Sequence, residues 1–328
     1  MKTSLAKRLT AVLIRNLGNL LMPSQNCDRR FVILIYHRIA DQIDPFLPSE
    51  PDVAGFRWQM EALAGNFNTL GLSEAIQRMH DGTLPPRAVC ITFDDGYRST
   101  HDVAMPILKE LGLPATVFIA SGYLDGSNMW NDRILNAVRT LPGTVLDLQA
   151  MQLGAYPLGG SAHRLQTAEQ LIAKAKYMSG AERLALANHL EGLNGQRQPE
   201  GMMLSPEMVR DLINNNFEIG GHTVTHPILT KLDDTQARQE IVQCKADLES
   251  LTGQPVRLFA YPNGKAGMDF DARHVEMARQ SGYQAAFITT IGSVSQHTDP
   301  FQIPRGRPWD TSPLLFQLRL LRWLAQSP

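Results

Sequence analysis

Short apolar runs that alternate with amphipathic stretches predict an α/β fold: an irregular (β/α) barrel of about seven strands, with a helical insertion and amphipathic terminal helices. Three observations carry this reading. Apolar, β-like runs recur at Phe31–Tyr36, Ala88–Phe93, 115–119, 217–221, 257–261 and 284–289. Helical patterns lie between several of them, at 56–65, 102–111, 206–215, 233–252 and 272–281. Polar groups follow three of the runs directly: Asp94-Asp95 after Phe93, His222 after Gly221, and Pro262-Asn263 after Tyr261. In barrels of parallel strands, catalytic groups gather on the loops at the C-terminal strand ends, so three separate segments agree.

The ends of the chain differ from its middle. In residues 1–30, Leu5, Leu9, Val12, Leu13, Leu17, Leu20 and Leu21 recur at helical spacing with Lys7, Arg8, Arg15 and Asn19 between them, which predicts an amphipathic basic helix. Arg15, Asn16 and Asn19 interrupt the apolar run, and no clean small-residue cleavage site follows, which argues against a signal peptide. Residues 311–328 repeat the theme, with Leu314, Leu315, Phe316, Leu318, Leu320, Leu321, Trp323 and Leu324 around Arg319 and Arg322. Neither end reaches the ~18 to 20 uninterrupted apolar residues that span a bilayer. Two readings of these helices stand equal: peripheral contact with an inner-membrane surface, or packing on the catalytic domain or another subunit. The expected location is the cytoplasm or the inner-membrane face, with export left open.

The barrel is expected over residues 31–310. Within it, residues 124–204 break the alternation: helices are expected at 130–141, 167–178 and 181–193, with Gly159-Gly160-Ser161 as a loop, so the insertion reads as an all-helical cap. A chain of 328 residues that is 43% hydrophobic can build one large core. A net charge of −1 gives no basic face for nucleic acid. Three scattered cysteines, Cys27, Cys90 and Cys244, indicate no disulfide framework. Cys90, inside an apolar run, reads as a small buried hydrophobe.

The chemistry is concentrated in Thr92-Phe93-Asp94-Asp95-Gly96 and His222-Thr223-Val224-Thr225-His226. One carboxylate and two imidazoles four residues apart make a three-donor set for a divalent metal, with positions left for water and substrate. The second carboxylate is then free to accept a proton, as a metal-assisted hydrolase requires. Either motif alone is weak, because Asp-Asp-Gly often marks only a turn. Both in this order, each after a strand-like run, form a specific signal.

This pair of motifs resembles the polysaccharide deacetylases of carbohydrate esterase family 4, the group of the nodulation-type chitooligosaccharide deacetylases, over roughly residues 31 to 308. The resemblance implies a (β/α) barrel and metal-dependent removal of N- or O-acetyl groups from a sugar polymer or oligomer. It implies the first aspartate, Asp94, as general base, and Asp95, His222 and His226 as metal ligands. Zinc is the first expectation, and cobalt, nickel or manganese would support the same chemistry. The Tyr36-His37-Arg38-Ile39 run resembles the start of biofilm poly-N-acetylglucosamine deacetylases, whose histidine sits at the N-terminal strand. His37 is therefore preferred as general acid over His297, which lies in a polar, loop-like stretch.

Two departures from the family pattern stand out. Where the family's third motif reads Arg-x-Pro-Tyr, this chain has Ala260-Tyr261-Pro262-Asn263, without the arginine and with Asn263 in place of the tyrosine. The Asn263 backbone N–H can still serve as an oxyanion donor, since that role needs no side chain. Arg305 is the candidate for the missing arginine, holding Asp94 ionised. Trp130-Asn131-Asp132 offers an aromatic wall for a sugar ring and a carboxylate, or Trp130 is simply helix core.

The expected function is deacetylation of an acetylated glycan in bacterial exopolysaccharide or envelope biosynthesis. The rivals are a cyclic-amide hydrolase of the allantoinase-like branch on the same scaffold, and a catalytically inactive glycan-binding assembly protein. The oligomeric state stays open.

Overall fold

The computed structural model describes residues 29–194 and 201–326, together with Ile14 and Asn16. The run FVILIY forms β1 (Phe31–Tyr36) and AVCITF forms β3 (Ala88–Phe93), and every residue of both is buried. Such uninterrupted apolar runs suit parallel strands covered on both faces. They pair in parallel from Phe31 opposite Ala88 to Tyr36 opposite Phe93. The sheet continues through β4 (Thr116–Ile119), β7 (Glu218–Gly221), β8 (Leu258–Ala260), β9 (Ala285–Ile288) and β10 (Ile303–Pro304), with the two-residue β2 (Asn68–Thr69) beside β3. Just past β10, Gly306 accepts from the Ile35 amide at 3.0 Å and donates to the Ile33 carbonyl at 2.9 Å. Those bonds bring the last strand back to the first and nearly close a seven-stranded parallel barrel, as the alternating pattern predicts.

Strand alternation sorts the core into two layers. Phe31, Ile33, Cys90, Phe118, Leu258 and Phe287 fill the barrel interior. Val32, Leu34, Val89, Ile91, Val117 and Ile119 face outward into the helical layer. That layer includes Val53–Asn66, Met105–Leu111, Pro206–Asn214, Asp234–Thr252 and Ala272–Gln280. The helix Leu72–His80, which the sequence pattern did not suggest, packs Leu72, Ala75 and Met79 with the interior residues.

The insertion has its own small core of Ile134, Val138, Leu146, Tyr156, Leu171, Leu186 and Leu190. It is not all-helical. Besides the helices Trp130–Thr140, Gly160–Ala175 and Gly180–Asn194, an antiparallel pair, β5 (Val145–Asp147) and β6 (Ala155–Pro157), lies within it. Each of these strands buries only its central residue, Leu146 or Tyr156, so three residues are too few to show a period of two. The middle helix begins at Gly160, inside the stretch expected to be a loop.

The C-terminal helix Pro313–Ala325 buries Phe316, Leu320, Leu321, Trp323 and Leu324 in the outer core. Trp58 meets Phe316 edge to face at 5.6 Å, and Asn66 donates to the Gln317 side chain at 2.6 Å. The N-terminal helix expected over residues 1–30 falls largely outside the described residues, but Ile14 is fully buried in the same core. Among the described residues no helix is long and apolar enough to cross a membrane.

Gly306 sits where the barrel seam meets this helix. A Cβ there would stand 2.8 Å from the Trp323 ring. Gly306→Ala is therefore expected to cost about 1–3 kcal/mol by pushing the tryptophan off the seam. The measurement is the midpoint of urea unfolding; an unchanged midpoint would show that the helix shifts freely.

Candidate active site and metal centre

At the C-terminal strand ends a cleft of about 450 Å³ opens, lined by His37, Asp94, Asp95, His222, His226, Asn263 and Arg305. All seven site residues expected from the sequence thus lie around one opening. Glu50, Arg38, Tyr97, Asn131, Lys265, Ile291, Arg307 and Trp309 complete its walls.

The Asp-Asp-Gly turn separates its two carboxylates by backbone geometry. Asp94 continues β3, donating its amide to the Tyr36 carbonyl at 2.9 Å. Asp95 and Gly96 then adopt φ of 76° and 90°, the left-handed region that a non-glycine residue enters only at a cost. Asp94 accepts two hydrogen bonds from Arg305, 2.7 Å from Nη1 and 2.8 Å from Nη2, while Nη1 also reaches the Thr92 hydroxyl at 3.1 Å. Arg305 is fully buried, with its guanidinium over the Phe118 ring at 4.9 Å. Burial pushes the Asp94 carboxyl up, but the Arg305 and His222 charges outweigh it and hold the group below the usual carboxylate range.

Asp95 faces the histidines. Its Oδ1 lies 3.4 Å from Nε2 of His222 and 3.4 Å from Nε2 of His226, and the three donor atoms fall within 4.8 Å of one another. Asp95, His222 and His226 are the residues that would hold a divalent ion here, two imidazoles and a carboxylate being a donor set that such ions take. Among the described residues no hydrogen bond satisfies Asp95 Oδ1, although it is buried. An orphaned carboxylate oxygen facing two imidazole nitrogens fits a divalent cation.

The imidazoles are oriented from behind. His222 Nδ1 lies 2.7 Å from the Ala260 carbonyl, so it carries the ring proton and leaves Nε2 as a lone pair facing Asp95. His226 is held through its loop. Glu240, on the helix Asp234–Thr252, accepts from the Val224 and Thr225 amides, each at 2.8 Å, and Thr223 Oγ1 accepts from the His226 amide at 3.1 Å. Thr223 and His226 both have positive φ, 65° and 53°. Burial, helped by the His222 and His37 charges, pushes the His226 ring down to about 4 against the Asp95 and Asp94 carboxylates, which favour its charged form. Burial also disfavours charge on His222, but Asp95 and Asp94 overcome it and raise that ring. For Asp95, burial is outweighed by His226 and His222, and the carboxyl is held low.

The remaining expected residues are placed as follows. Arg307 Nη2 lies 2.5 Å from His37 Nδ1 and 3.2 Å from Glu50 Oε1. Burial, then the Arg307 charge, lowers the His37 ring. His297 is exposed on the segment between β9 and β10 and does not line the cleft. Asn263 has φ of 59°, in a turn pinned where Thr289 Oγ1 donates to the Asn263 carbonyl at 2.6 Å. Among the described residues its amide has no acceptor, so it is available to a ligand.

Trp130 does not form an aromatic wall of the cleft. It packs against the insertion core, with Arg183 over its ring at 5.1 Å. Its neighbour Asp132 is buried, paired with Arg38 at 2.9 Å and accepting from Tyr97 at 2.8 Å, so this carboxylate ties the insertion to the barrel. The sequence reading missed Tyr97, which directly follows Asp94-Asp95-Gly96, and Glu50, Ile291, Arg307 and Trp309, which come from loops without a motif. Arg307 also carried a signal, standing two residues beyond Arg305.

A sequence profile described as polysaccharide deacetylase matches residues 81–286. YxkH of Bacillus subtilis is 20% identical over 276 residues, covering 84% of this chain and 70% of that protein. The poly-beta-1,6-N-acetyl-D-glucosamine N-deacetylase of Staphylococcus epidermidis is 34% identical over 82 residues, 25% of this chain and 28% of that protein. The fold is similar to that of the Streptococcus pyogenes deacetylase PplD, with a TM-score of 0.61 at 17% identity, covering 90% of this chain and 99% of that one. With the profile spanning more than half of its length, the chain belongs to the polysaccharide deacetylase family, hydrolases acting on N-acetyl groups.

Proposed function

We propose that this protein removes acetyl groups from an N-acetylglucosamine-type polymer or oligomer of bacterial exopolysaccharide or envelope, using a divalent ion held by Asp95, His222 and His226. The observation that carries the proposal is the ion-sized gap between those three donors beside a second, arginine-held carboxylate. N-acetylglucosamine is the first substrate to test because the Staphylococcus epidermidis relative is named for that polymer. Zinc is the first ion, matching two imidazoles and one carboxylate.

Held by Asp95, His222 and His226, a divalent ion would supply Lewis acidity to the attacking water and to the acetyl carbonyl. Asp94, kept ionised by Arg305, takes the proton from the attacking water. The Asn263 amide donates to the carbonyl oxygen as it gains charge. His37 delivers a proton to the departing amine, and Arg307 with Glu50 fixes the ring from which it comes. Arg305 stands in for the arginine missing from the third motif, reaching Asp94 from the far side of the barrel in sequence. The presence of all these groups favours an enzyme over an inactive assembly protein.

We place the protein in the cytoplasm or peripherally on the inner membrane. Leu314, Leu315 and Leu318 remain exposed on the C-terminal helix beside Arg319 and Arg322, an apolar strip with basic neighbours that suits a lipid surface.

Three measurements test these statements. Purified protein is expected to release acetate from N-acetylglucosamine oligomers, to lose that activity to a chelator and to regain it with zinc; release that ignores the chelator would remove the metal from the mechanism. Asp94→Asn is expected to retain zinc while losing at least about 100-fold in kcat, and Asp95→Asn to lose zinc as well. Equal zinc loss in both variants would overturn the division of roles. For the membrane contact, the full chain should float with anionic vesicles while a Leu314→Glu, Leu315→Glu, Leu318→Glu variant stays in the dense fraction; identical behaviour would sink it.

A further inference from the structure

Two large apolar side chains stand exposed on a cleft otherwise lined mainly by charge and hydrogen-bonding groups. Trp309 is 61% exposed and Ile291 is 47% exposed, and both line the opening that contains Asp94 and Asp95. Leaving a large apolar side chain in water forfeits roughly 1.5–3 kcal/mol of burial, so its position at a binding site calls for a partner. No ring or cation packs on Trp309 among the described residues. The other tryptophans differ: Trp58 packs on Phe316, Trp130 on Arg183 and the insertion core, and Trp323 on the barrel seam.

The backbone around Trp309 is held in place. Pro308 before it has a fixed φ. Asp310 after it forms a two-point ion pair with Arg319 of the C-terminal helix. Two residues upstream, Arg307 is engaged with His37 and Glu50. The indole is thus carried on a fixed segment of backbone and lines the same cleft as the group proposed as general acid. Ile291, which lines the same opening, is shared with a second cavity of about 560 Å³ that Thr298, Asp299 and Gln302 help to line. A chain extending beyond the cleft would meet hydrogen-bonding ground there.

A pyranose ring presents a face of C–H groups edged by hydroxyls. An indole, with its electron-rich face, is the side chain best suited to lie flat against it. We propose that Trp309 is the sugar-stacking platform of this cleft: it takes the ring adjacent to the one bearing the reacting acetamido group, and so selects an oligomer over a single sugar. This rests on the glycan-deacetylase reading above, to which it adds the residue that recognises the chain.

The test is a titration of intrinsic fluorescence with β-1,6- and β-1,4-linked N-acetylglucosamine pentamers and with the monosaccharide, beside acetate release from pentamer and from a small aryl acetate. The expected result is a saturable response to a pentamer and a far weaker one to the monosaccharide. Trp309→Ala should lose most of the response and about tenfold in pentamer affinity. Its loss in kcat/KM should be about tenfold greater for pentamer than for the aryl acetate, and should arise in KM. Trp309→Phe, which keeps an aromatic face, should recover part of both. The proposal is overturned if Trp309→Ala binds pentamer as tightly as the unaltered chain, if both substrates suffer equally, or if the unaltered chain binds no pentamer. Aryl acetate turnover without pentamer binding would overturn the platform and leave the hydrolase reading standing. Trp309-dependent binding without any acetate release would do the reverse.

Discussion

The buried pair of Arg305 and Asp94 is the constraint on which the site depends. A guanidinium with no exposed surface, set over Phe118 and Phe287 inside the barrel, is tolerable only with its charge paired, all the more because among the described residues its Nε finds no acceptor. Asp94 supplies the charge through two parallel hydrogen bonds and Thr92 takes a third, while Thr92 itself donates to the Leu34 carbonyl. Removing one partner of such a pair strands the other charge, at about 3–5 kcal/mol. The pair therefore ties the segment after β10 to β3 through the barrel interior, adding to its backbone bonds with β1 and to the contacts of Arg307 with His37 and Glu50. With Asp94 committed to Arg305, only Asp95 remains for the histidines.

That division requires strain. Asp95, Thr223, His226 and Asn263 all sit at positive φ around one opening, and such conformations cost about 1–3 kcal/mol each. The surrounding segments are held by specific hydrogen bonds. Glu240 takes two amides and a hydroxyl of the loop before His226, the Ala260 carbonyl fixes the His222 tautomer, and Thr289 holds the turn at Asn263. The barrel and the helix Asp234–Thr252 thus supply the rigidity that keeps an unsatisfied carboxylate oxygen aimed at two imidazoles.

The parts of this architecture that repeat were legible in the sequence. Six apolar runs identified six of the seven barrel strands because each is buried on both faces and reads as a continuous stretch. The seventh, β10, is Ile303-Pro304, too short for any pattern. Arg305 was nevertheless singled out, from the gap left in the third motif rather than from a strand. The hairpin of the insertion was hidden for the same reason of length. Trp130 was ambiguous because helix core and sugar wall demand the same residue, and only tertiary packing separates them. Glu50 and Trp309 lie in loops held by ion pairs of Glu50 and of Asp310 that form only on folding, whereas Tyr97 directly follows Asp94-Asp95-Gly96 and was legible from that motif.

The wall around His37 illustrates what such loops contribute. A guanidinium has only donors, so Arg307 fixes His37 Nδ1 as an acceptor and leaves the ring proton on Nε2. The same positive charge opposes a second proton, and burial opposes it further, while Glu50, beside Arg307, acts in the other direction. Under the proposed assignment, a ring lowered in this way gives up a proton readily once it has one, which suits transfer to a departing amine. It does not suit permanent charging. The acidity of that step therefore answers to Asp95 and Asp94, whose charges raise the ring, as well as to Arg307 and Glu50. The carboxylates that would hold the ion and take the proton are thus coupled through space to the group that would serve the departing amine.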